Sequence, residues 1–189
     1  KNIKLIKADL KKSRSINFFK EELKNENVVS YINLVGSISN KNYLESSLKT
    51  LLNSLKLNTL HPNEILKLIL SNMKKKKYGR ILNISSIGVK YGGGETSYEY
   101  SLSKHLLEFN PKYLRELSKS NILSNVLRVG VTNSKIHKKI KNKNLKSRIN
   151  LVPMKRAANT DEIADMVYYL ASDKNTFITN ENITIAGGE

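Results

Sequence analysis

The sequence predicts an α/β protein built on a parallel β-sheet, and three observations lead to that fold class. Short apolar runs rich in β-branched residues alternate along the chain with longer segments whose apolar residues recur every three or four positions. The short runs carry few charged side chains, which is typical of strands buried inside a parallel sheet. These runs close at glycine, asparagine or serine, and ligands of open α/β proteins bind at the carboxyl ends of the strands.

The first half of the chain contains two predicted strands and three predicted helices. An apolar run at residues 3–6 predicts a strand, and the apolar positions of residues 15–24 fall on one helical face. Residues 28–35 form a β-branched run that predicts a buried strand. Residues 44–57 and 60–73 have apolar residues at three- and four-residue spacing, which predicts two amphipathic helices.

The second half repeats the alternation. Residues 80–84 predict a buried strand, and residues 98–117 predict a long amphipathic helix. A β-branched run predicts a strand at residues 122–129. Residues 159–171 predict a helix with capping-box spacing at its start, and a final strand falls within residues 177–185.

The composition describes one ordinary globular domain. With 189 residues, of which 39% are hydrophobic, the chain can form a single domain over residues 1–189 with a substantial core. The absence of cysteine excludes disulfides, thiolate metal sites and cysteine nucleophiles. No run of about 18 apolar residues occurs, and residues 1–10 lack the apolar block of a signal peptide. We therefore expect no membrane span and a cytoplasmic location.

The formal net charge of +17 is spread over the whole chain. A basic chain can bind nucleic acid or an anionic membrane. Here the lysines occur together with many asparagines and isoleucines, while arginine, the better reader of phosphates and base edges, is scarce. We therefore expect no nucleic-acid partner, and nucleic-acid binding is an alternative that rests on charge alone.

A cationic stretch follows Gly130, with no acidic residue before Asp161. Its basic residues are Lys135, His137, Lys138, Lys139, Lys141, Lys143, Lys146 and Arg148. A solvated lysine-rich loop is the simplest interpretation of this stretch. No metal is expected, because His61 and His137 lack partners at metal-ligand spacing.

A candidate site for proton transfer comes from four residues. Tyr100 and Lys104 are four positions apart on a predicted helix and share one face. A nearby ammonium lowers the pKa of a phenol, which brings it toward the range useful for acid–base chemistry. Ser86 ends a predicted strand and could donate a hydrogen bond to a developing alkoxide. With Asn58, the set suits proton transfer coupled to hydride transfer from a nicotinamide. Taken singly, each residue is more typical of a helix surface, a turn or a cap.

Six motifs extend this pattern along the chain. They are Ala8-Asp9-Leu10, Asn33-Leu34-Val35-Gly36, Asn83-Ile84-Ser85-Ser86, Tyr100-Ser101-Leu102-Ser103-Lys104, Asp161-Glu162-Ile163-Ala164 and Gly187-Gly188. In this order they resemble the motifs of the short-chain dehydrogenase/reductase family, from Ala8 to the C-terminus. The resemblance implies a Rossmann-like doubly wound parallel sheet in three α/β/α layers, with NAD or NADP as cofactor.

The resemblance also implies an oxidoreductase that interconverts a small-molecule carbonyl and an alcohol. Tyr100 would be the general acid/base, and Lys104 would lower its pKa and bind the nicotinamide ribose. Ser86 would orient the substrate carbonyl. Asn58 would hold a water that continues the proton relay through Lys104. The residues that the resemblance places against the cofactor are Asp9, Leu10, Asn33, Gly36, Tyr100, Lys104, Gly130, Thr132 and Ser134.

Substrate and assembly follow only in outline from the resemblance. Residues 133–156 would form a substrate lid, whose cationic stretch would favour an anionic substrate. A sugar or glycoconjugate precursor and a 3-oxoacyl thioester both stay open. A homodimer or homotetramer would pack through the helices predicted at residues 60–73 and 98–117.

Several positions depart from the family pattern. Leu34 and Val35 replace an asparagine and an alanine, and Val129 replaces a proline. Tyr98 is a poorer candidate than Tyr100, because only Tyr100 has a lysine four residues later.

The first βαβ unit of the family, with its glycine-rich phosphate loop, has no counterpart here. Without it, residues 4–8 would have no strand to pair with, and the strand at residues 28–35 would have an exposed edge. We therefore expect a fragment of a longer protein, with no measurable dinucleotide affinity by itself. A non-catalytic binding or scaffold protein that keeps the fold is the alternative to an enzyme.

Overall fold

A four-stranded parallel sheet organises the fold. The computed structural model describes residues 3–134 and 144–189. The strands, in chain order, are β1 (Ser30–Asn33), β2 (Gly79–Ser86), β3 (Ile122–Val129) and β4 (Asn182–Ile185). They lie side by side in the order β1-β2-β3-β4, and all three pairings are parallel. The predicted parallel α/β fold is therefore confirmed.

Helices cover both faces of the sheet. Those in the described part of the chain are α1 (Arg14–Leu23), α2 (Leu48–Leu55), α3 (His61–Lys76), α4 (Tyr98–Leu107), α5 (Lys112–Glu116), α6 (Leu145–Asn150) and α7 (Thr160–Ala171). Successive residues of a strand point to opposite faces. Accordingly Ile81 packs in a cluster with α3 and α5, whereas Leu82 and Ile84 pack with α7. The three-layer arrangement is confirmed.

The strand predicted at residues 3–6 is wrong. Residues 3–9 are extended but form no ladder, and Ile3 and Leu5 are 83% and 91% exposed. Lys4 forms ion pairs with Glu22 and Glu26, which hold the segment against the end of α1. The physical reason is the lack of a neighbour, because no strand of the described residues lies beside this segment to satisfy its backbone groups.

The two helices predicted at residues 44–57 and 60–73 are one continuous rod. α2 begins at Leu48, and Ser47 and Thr50 form a capping box at its start. Its last turn passes into a π-helical turn, Lys56–Leu60, and α3 follows directly. A π turn carries an extra residue and rotates the side chains that follow it. In this rod the turn buries Asn58 and Thr59 completely or nearly so, with 0% and 7% exposure.

Other boundaries shift for local reasons. The helix predicted at residues 98–117 breaks after Leu107, because Pro111 lacks the backbone N–H that would continue it. Only Asn182–Ile185 of the predicted final strand pairs with β3. β1 pairs with β2 alone among the described strands, and Val29, Ile32 and Leu34 beside its free edge are 40%, 45% and 71% exposed.

Gly130→Ala is expected to lower the free energy of unfolding by about 1–3 kcal/mol. A Cβ atom at Gly130 would lie 2.6 Å from the Cα atom of Ala186, where β3 leaves the sheet beside the end of β4. Gly94→Ala is the matched control, because its Cβ would lie 3.5 Å from its nearest neighbour, the Oγ of Ser97. Urea melts measure both, and equal stability of the two variants would contradict the close approach at Gly130.

Among the helices of the described residues, none is both long enough and apolar enough to cross a membrane.

Candidate active site

The four proposed catalytic side chains come from three structural elements. Ser86 is the last residue of β2, so it lies at the carboxyl edge of the sheet. Tyr100 and Lys104 lie on α4, which packs on β2. Asn58 lies in the π-helical turn, which contacts α4. The parallel topology therefore brings together residues that are up to 46 positions apart in the chain, from Asn58 to Lys104.

Lys104 is buried between the ends of two strands. Its side chain is 2% exposed, and its Nζ donates to the carbonyl oxygens of Val35 at 2.8 Å and Ile84 at 2.7 Å. Burial lowers the pKa of Lys104 to about 8. An ammonium has three N–H donors, so one of them is left for a ligand hydroxyl after both carbonyls are satisfied.

Tyr100 is a protonated phenol at neutral pH. Burial raises the pKa of Tyr100, and a hydrogen bond with Ser86 opposes that shift in part. The Nζ of Lys104 lies 5.8 Å from the centre of the Tyr100 ring. Burial therefore outweighs Ser86 in setting this pKa, and the side chain is suited to donate a proton to an oxygen bound beside it.

Gly36 leaves an open edge beside these two side chains. A Cβ atom at Gly36 would lie 3.4 Å from Cε2 of Tyr100 and 3.6 Å from Nζ of Lys104. We call this stretch of bare backbone, which borders the tyrosine and the lysine, the cradle. The spare N–H of Lys104 suits a sugar hydroxyl at the same place.

Asn58 is held by backbone and hydroxyl groups rather than exposed to a ligand. Its Oδ1 accepts from the backbone N–H of Ser37 at 2.9 Å, and its Nδ2 donates to the carbonyl of Ser37 at 3.1 Å. Nδ2 also donates to the hydroxyl of Ser103 at 2.9 Å, which itself donates to the carbonyl of Tyr100 at 2.7 Å. In the described residues Asn58 therefore reaches Tyr100 through Ser103, and a water between Asn58 and Lys104 stays a prediction.

The residues expected to contact a cofactor fall into two groups. Asn33 is 2% exposed at the end of β1, where its Nδ2 donates to Oδ1 of Asn83 and its Oδ1 accepts from the N–H of Val35. Thr132 donates to the carbonyl of Gly130 at 3.2 Å, next to the end of β3. These side chains shape the backbone of the loops that follow β1 and β3.

The second group consists of Asp9, Leu10 and Ser134. Asp9 is exposed, and its carboxylate accepts from the N–H of Lys11. The carbonyl of Leu10 lies 2.5 Å from Nδ1 of His61, which ties this loop to the start of α3. Ser134 is half-buried at the end of the described segment.

Most of the cationic stretch, residues 135–143 with His137, lies outside the described residues. Arg148, on α6, forms an ion pair with Glu189, so its charge is already neutralised by the protein. No group of three or more metal-ligating side chains occurs within residues 3–134 and 144–189.

A buried charge network behind the site was missed by the sequence reasoning. Glu108 is 9% exposed, pairs with Arg128 through two short contacts, and accepts from the Ser85 hydroxyl at 2.7 Å. The Ser85 hydroxyl also lies 3.3 Å from the carbonyl of Lys104. The only sequence signal is an acid at i+4 from Lys104, on the face of α4 that carries Tyr100 and Lys104.

Glu108→Gln is expected to lower the free energy of unfolding at neutral pH by about 2 kcal/mol. Burial alone would raise the pKa of Glu108, but hydrogen bonds from Arg128 and Ser85 and the Arg128 charge outweigh it, so the pKa is lowered. A carboxyl with a depressed folded pKa stabilises the protein above its unfolded pKa and loses that contribution as the pH falls.

Urea melts of Glu108→Gln and wild type should therefore differ at about pH 7 and differ less at a pH well below 4.5. Glu116→Gln removes a solvent-exposed partner of Lys119 and should melt like wild type at both pH values. A stability gap for Glu108→Gln that persists unchanged in acid would contradict the role of its charge.

Comparisons with known proteins agree on one group. Residues 2–189 match the family model described as enoyl-(acyl carrier protein) reductase. The chain is 31% identical to the 3-oxoacyl-(acyl-carrier-protein) reductase of Buchnera aphidicola subsp. Schizaphis graminum over 158 residues, which is 83% of this chain and 64% of that protein. It is 33% identical to the acetoacetyl-CoA reductase of an Acinetobacter species over 121 residues, which is 64% of this chain and 48% of that protein.

The fold is similar to a solved structure with a nicotinamide cofactor. A mutant of 4-hydroxyisoleucine dehydrogenase complexed with NADH and succinate matches with a TM-score of 0.84 and 26% identity, over 97% of this chain and 77% of that chain. The chain spans about half to two thirds of the length of the two curated relatives, 48% and 64%.

Proposed function

The chain belongs to the short-chain dehydrogenase/reductase family, and on that premise we propose that it reduces a carbonyl to an alcohol with a hydride from NADH or NADPH. The observation that carries the proposal is the arrangement of Tyr100, Ser86 and Lys104. A protonated phenol, a serine hydroxyl near enough to oppose the rise in its pKa, and a buried lysine with one spare N–H meet at the carboxyl edge of the sheet.

The chemistry of the reaction divides between the cofactor and the chain. When bound, a reduced nicotinamide supplies a hydride for the carbonyl carbon. Tyr100 donates its phenolic proton to the carbonyl oxygen, and the Ser86 hydroxyl orients that oxygen and stabilises the negative charge that develops on it. The positive charge of Lys104 stabilises the phenolate left on Tyr100.

Residues around the cradle would hold the cofactor. Gly36 would let the nicotinamide and its ribose approach the backbone, and Lys104 would donate its third N–H to a ribose hydroxyl. Asn33 and Thr132 would hold the loops that flank the cofactor, through the hydrogen bonds described above. Asp9 and Leu10 would lie near the far end of the cofactor.

A 3-oxoacyl thioester is the substrate class we propose. Two relatives with 31% and 33% identity carry the names 3-oxoacyl-(acyl-carrier-protein) reductase and acetoacetyl-CoA reductase. Each name describes reduction of a keto group, which the pair of oxygen-binding hydroxyls on Tyr100 and Ser86 suits. The product would be the corresponding 3-hydroxyacyl thioester.

Assembly into a homodimer is proposed through the exposed side of α3, α4 and α5. Leu60, Leu106, Phe109 and Tyr113, which lie in or next to these helices, are 45%, 43%, 74% and 56% exposed. Apolar side chains at this density are typical of an interface between subunits. A lid over residues 133–156 and a cytoplasmic location stay predictions.

The test is the oxidation of NADPH and of NADH by the full-length protein in the presence of acetoacetyl-CoA, followed by the absorbance of the reduced nicotinamide. We expect acetoacetyl-CoA to be reduced, while crotonyl-CoA, which offers only a carbon–carbon double bond, is not. Reduction of crotonyl-CoA alone would replace the proposal by enoyl reduction. No turnover and no binding of either cofactor would refute the enzyme and leave a non-catalytic binding protein.

A further inference from the structure

Helix α4 is attached to α2 and the π-helical turn through polar side chains. Glu99 and Ser103, one turn apart on α4, are both fully buried with 0% exposure. On the other side Thr50, Ser54 and Asn58 follow one another at four-residue spacing along the rod. We call these five residues the polar seam.

Glu99 anchors the first turn of the seam. Its Oε1 accepts from the hydroxyl of Ser46 at 2.8 Å and from the hydroxyl of Thr50 at 2.5 Å. Burial alone would raise the pKa of Glu99, but hydrogen bonds from Thr50 and Ser46 and the charge of Lys41 outweigh it and lower the pKa. Glu99 is therefore an ionised carboxylate held inside the protein.

The seam continues one turn later at Ser103. Asn58 donates to its hydroxyl at 2.9 Å, and the hydroxyl of Thr59 donates to its carbonyl at 2.6 Å. Two consecutive residues of the π turn thus bind one residue of α4. Hydrogen bonds depend on direction, whereas apolar contacts tolerate sliding, so the seam sets the rotation of α4 about its own axis.

We propose that Glu99 is a positioning residue, whose buried carboxylate fixes the rotation of α4 and thereby places the Tyr100 phenol beside Ser86. The inference rests on the proposed function and adds a residue to it. Tyr100 follows Glu99 directly, so any rotation of the first turn moves both. A rotation of about 10° displaces an atom roughly 6–8 Å from the helix axis by about 1 Å, and a misplacement of that size can cost about 100-fold in rate.

Two substitutions at Glu99 distinguish the effect of its hydrogen-bond acceptor from the effect of its side-chain volume. Glu99→Gln keeps an acceptor for Ser46 and Thr50, and its kcat should stay within about threefold of wild type. Glu99→Leu keeps a similar volume without an acceptor, and its kcat should fall about 10- to 100-fold at little changed KM. Thr50→Val removes one donor and should give a smaller loss in the same direction, which keeps the test open if the leucine variant does not fold.

The control for general destabilisation is Leu66→Ala. Leu66 is 2% exposed in the cluster of α3, α5 and β2, away from the seam. This variant should lose stability and keep its kcat, which shows that lower stability alone does not impair turnover.

The second readout is the titration of Tyr100, followed by NMR of ¹³C-labelled tyrosine and assigned with Tyr100→Phe. Glu99→Leu should shift the Tyr100 pKa, because burial of the phenol and its bond with Ser86 both change, whereas Glu99→Gln should not. An unchanged Tyr100 titration in a folded Glu99→Leu variant would overturn the inference, whether kcat falls or not. If the wild type reduces no carbonyl, the proposed function fails, and the titration still decides the role of Glu99.

Discussion

Tyr100→Phe should lower kcat for carbonyl reduction by about 10²–10⁴-fold. The substitution removes only the phenolic oxygen, so α4 and its packing stay intact. The lost group is the one placed to protonate the carbonyl oxygen, and its raised pKa keeps the proton in place at neutral pH. KM for the thioester should change little, because Ser86 still binds the carbonyl.

Tyr98→Phe is the matched control, two residues earlier on the same helix. The Tyr98 ring stacks edge-on against Tyr43, with 4.9 Å between the ring centres, and its oxygen has no part in the proposed reaction. This variant should keep the wild-type kcat. If Tyr98→Phe lost most of its kcat while Tyr100→Phe stayed active, the acid–base role would belong to Tyr98.

Lys104→Met should be the second severe variant, lowering kcat/KM by about 100-fold or more. The methionine removes the positive charge beside the phenol and the third N–H proposed for the ribose. The pH profile of kcat/KM in the wild type should fall above about pH 8, because the neutral amine keeps only the two N–H groups that the carbonyls of Val35 and Ile84 require.

The free energy of unfolding should also depend on the protonation of Lys104, and its lowered pKa fixes the direction of that dependence. The pKa of Lys104 is about 8 in the folded protein and 10.5 for an ordinary lysine. Between these values the unfolded chain binds more protons, so stability rises as the pH rises through this window. Relative to Lys104→Met, the wild type should gain up to about 3 kcal/mol between pH 8 and 10.5.

Urea melts of the two proteins across this range measure the gain, and Lys90→Met is the control. Lys90 is exposed in the loop after β2 and should show no such trend relative to wild type. A stability difference between wild type and Lys104→Met that is constant from pH 7 to 10.5 would contradict a lysine buried with a lowered pKa.

The position of strands along the chain was largely predictable because it depends on short-range patterns. The apolar run at Ile122–Val129 agrees with β3 residue for residue, and Ser86 ends β2 as expected. The strand predicted at residues 3–6 failed, because an apolar run becomes a strand only beside a neighbour, and the missing first βαβ unit already indicated that this segment has none.

The parts of the site that depend on long-range contacts were not predictable. The π-helical turn leaves no mark in the spacing of apolar residues, yet it directs Asn58 and Thr59 onto α4. Glu99 and Glu108 look like surface acids of an amphipathic helix. Their burial depends on partners from α2, β2 and β3, which only the folded chain brings together.

The two hydrogen bonds that Lys104 donates to the carbonyls of Val35 and Ile84 have an evolutionary consequence. A descendant that had lost the proposed catalytic role would still be selected to keep this lysine, because two strand ends depend on it. Asn58 likewise has a structural role, through its hydrogen bonds with Ser37 and Ser103. Tyr100 differs, since the contact described for its hydroxyl is with Ser86, its partner in the proposed reaction. Of the four residues, the tyrosine is therefore the one whose loss or retention through a lineage would record whether the chemistry itself was still under selection.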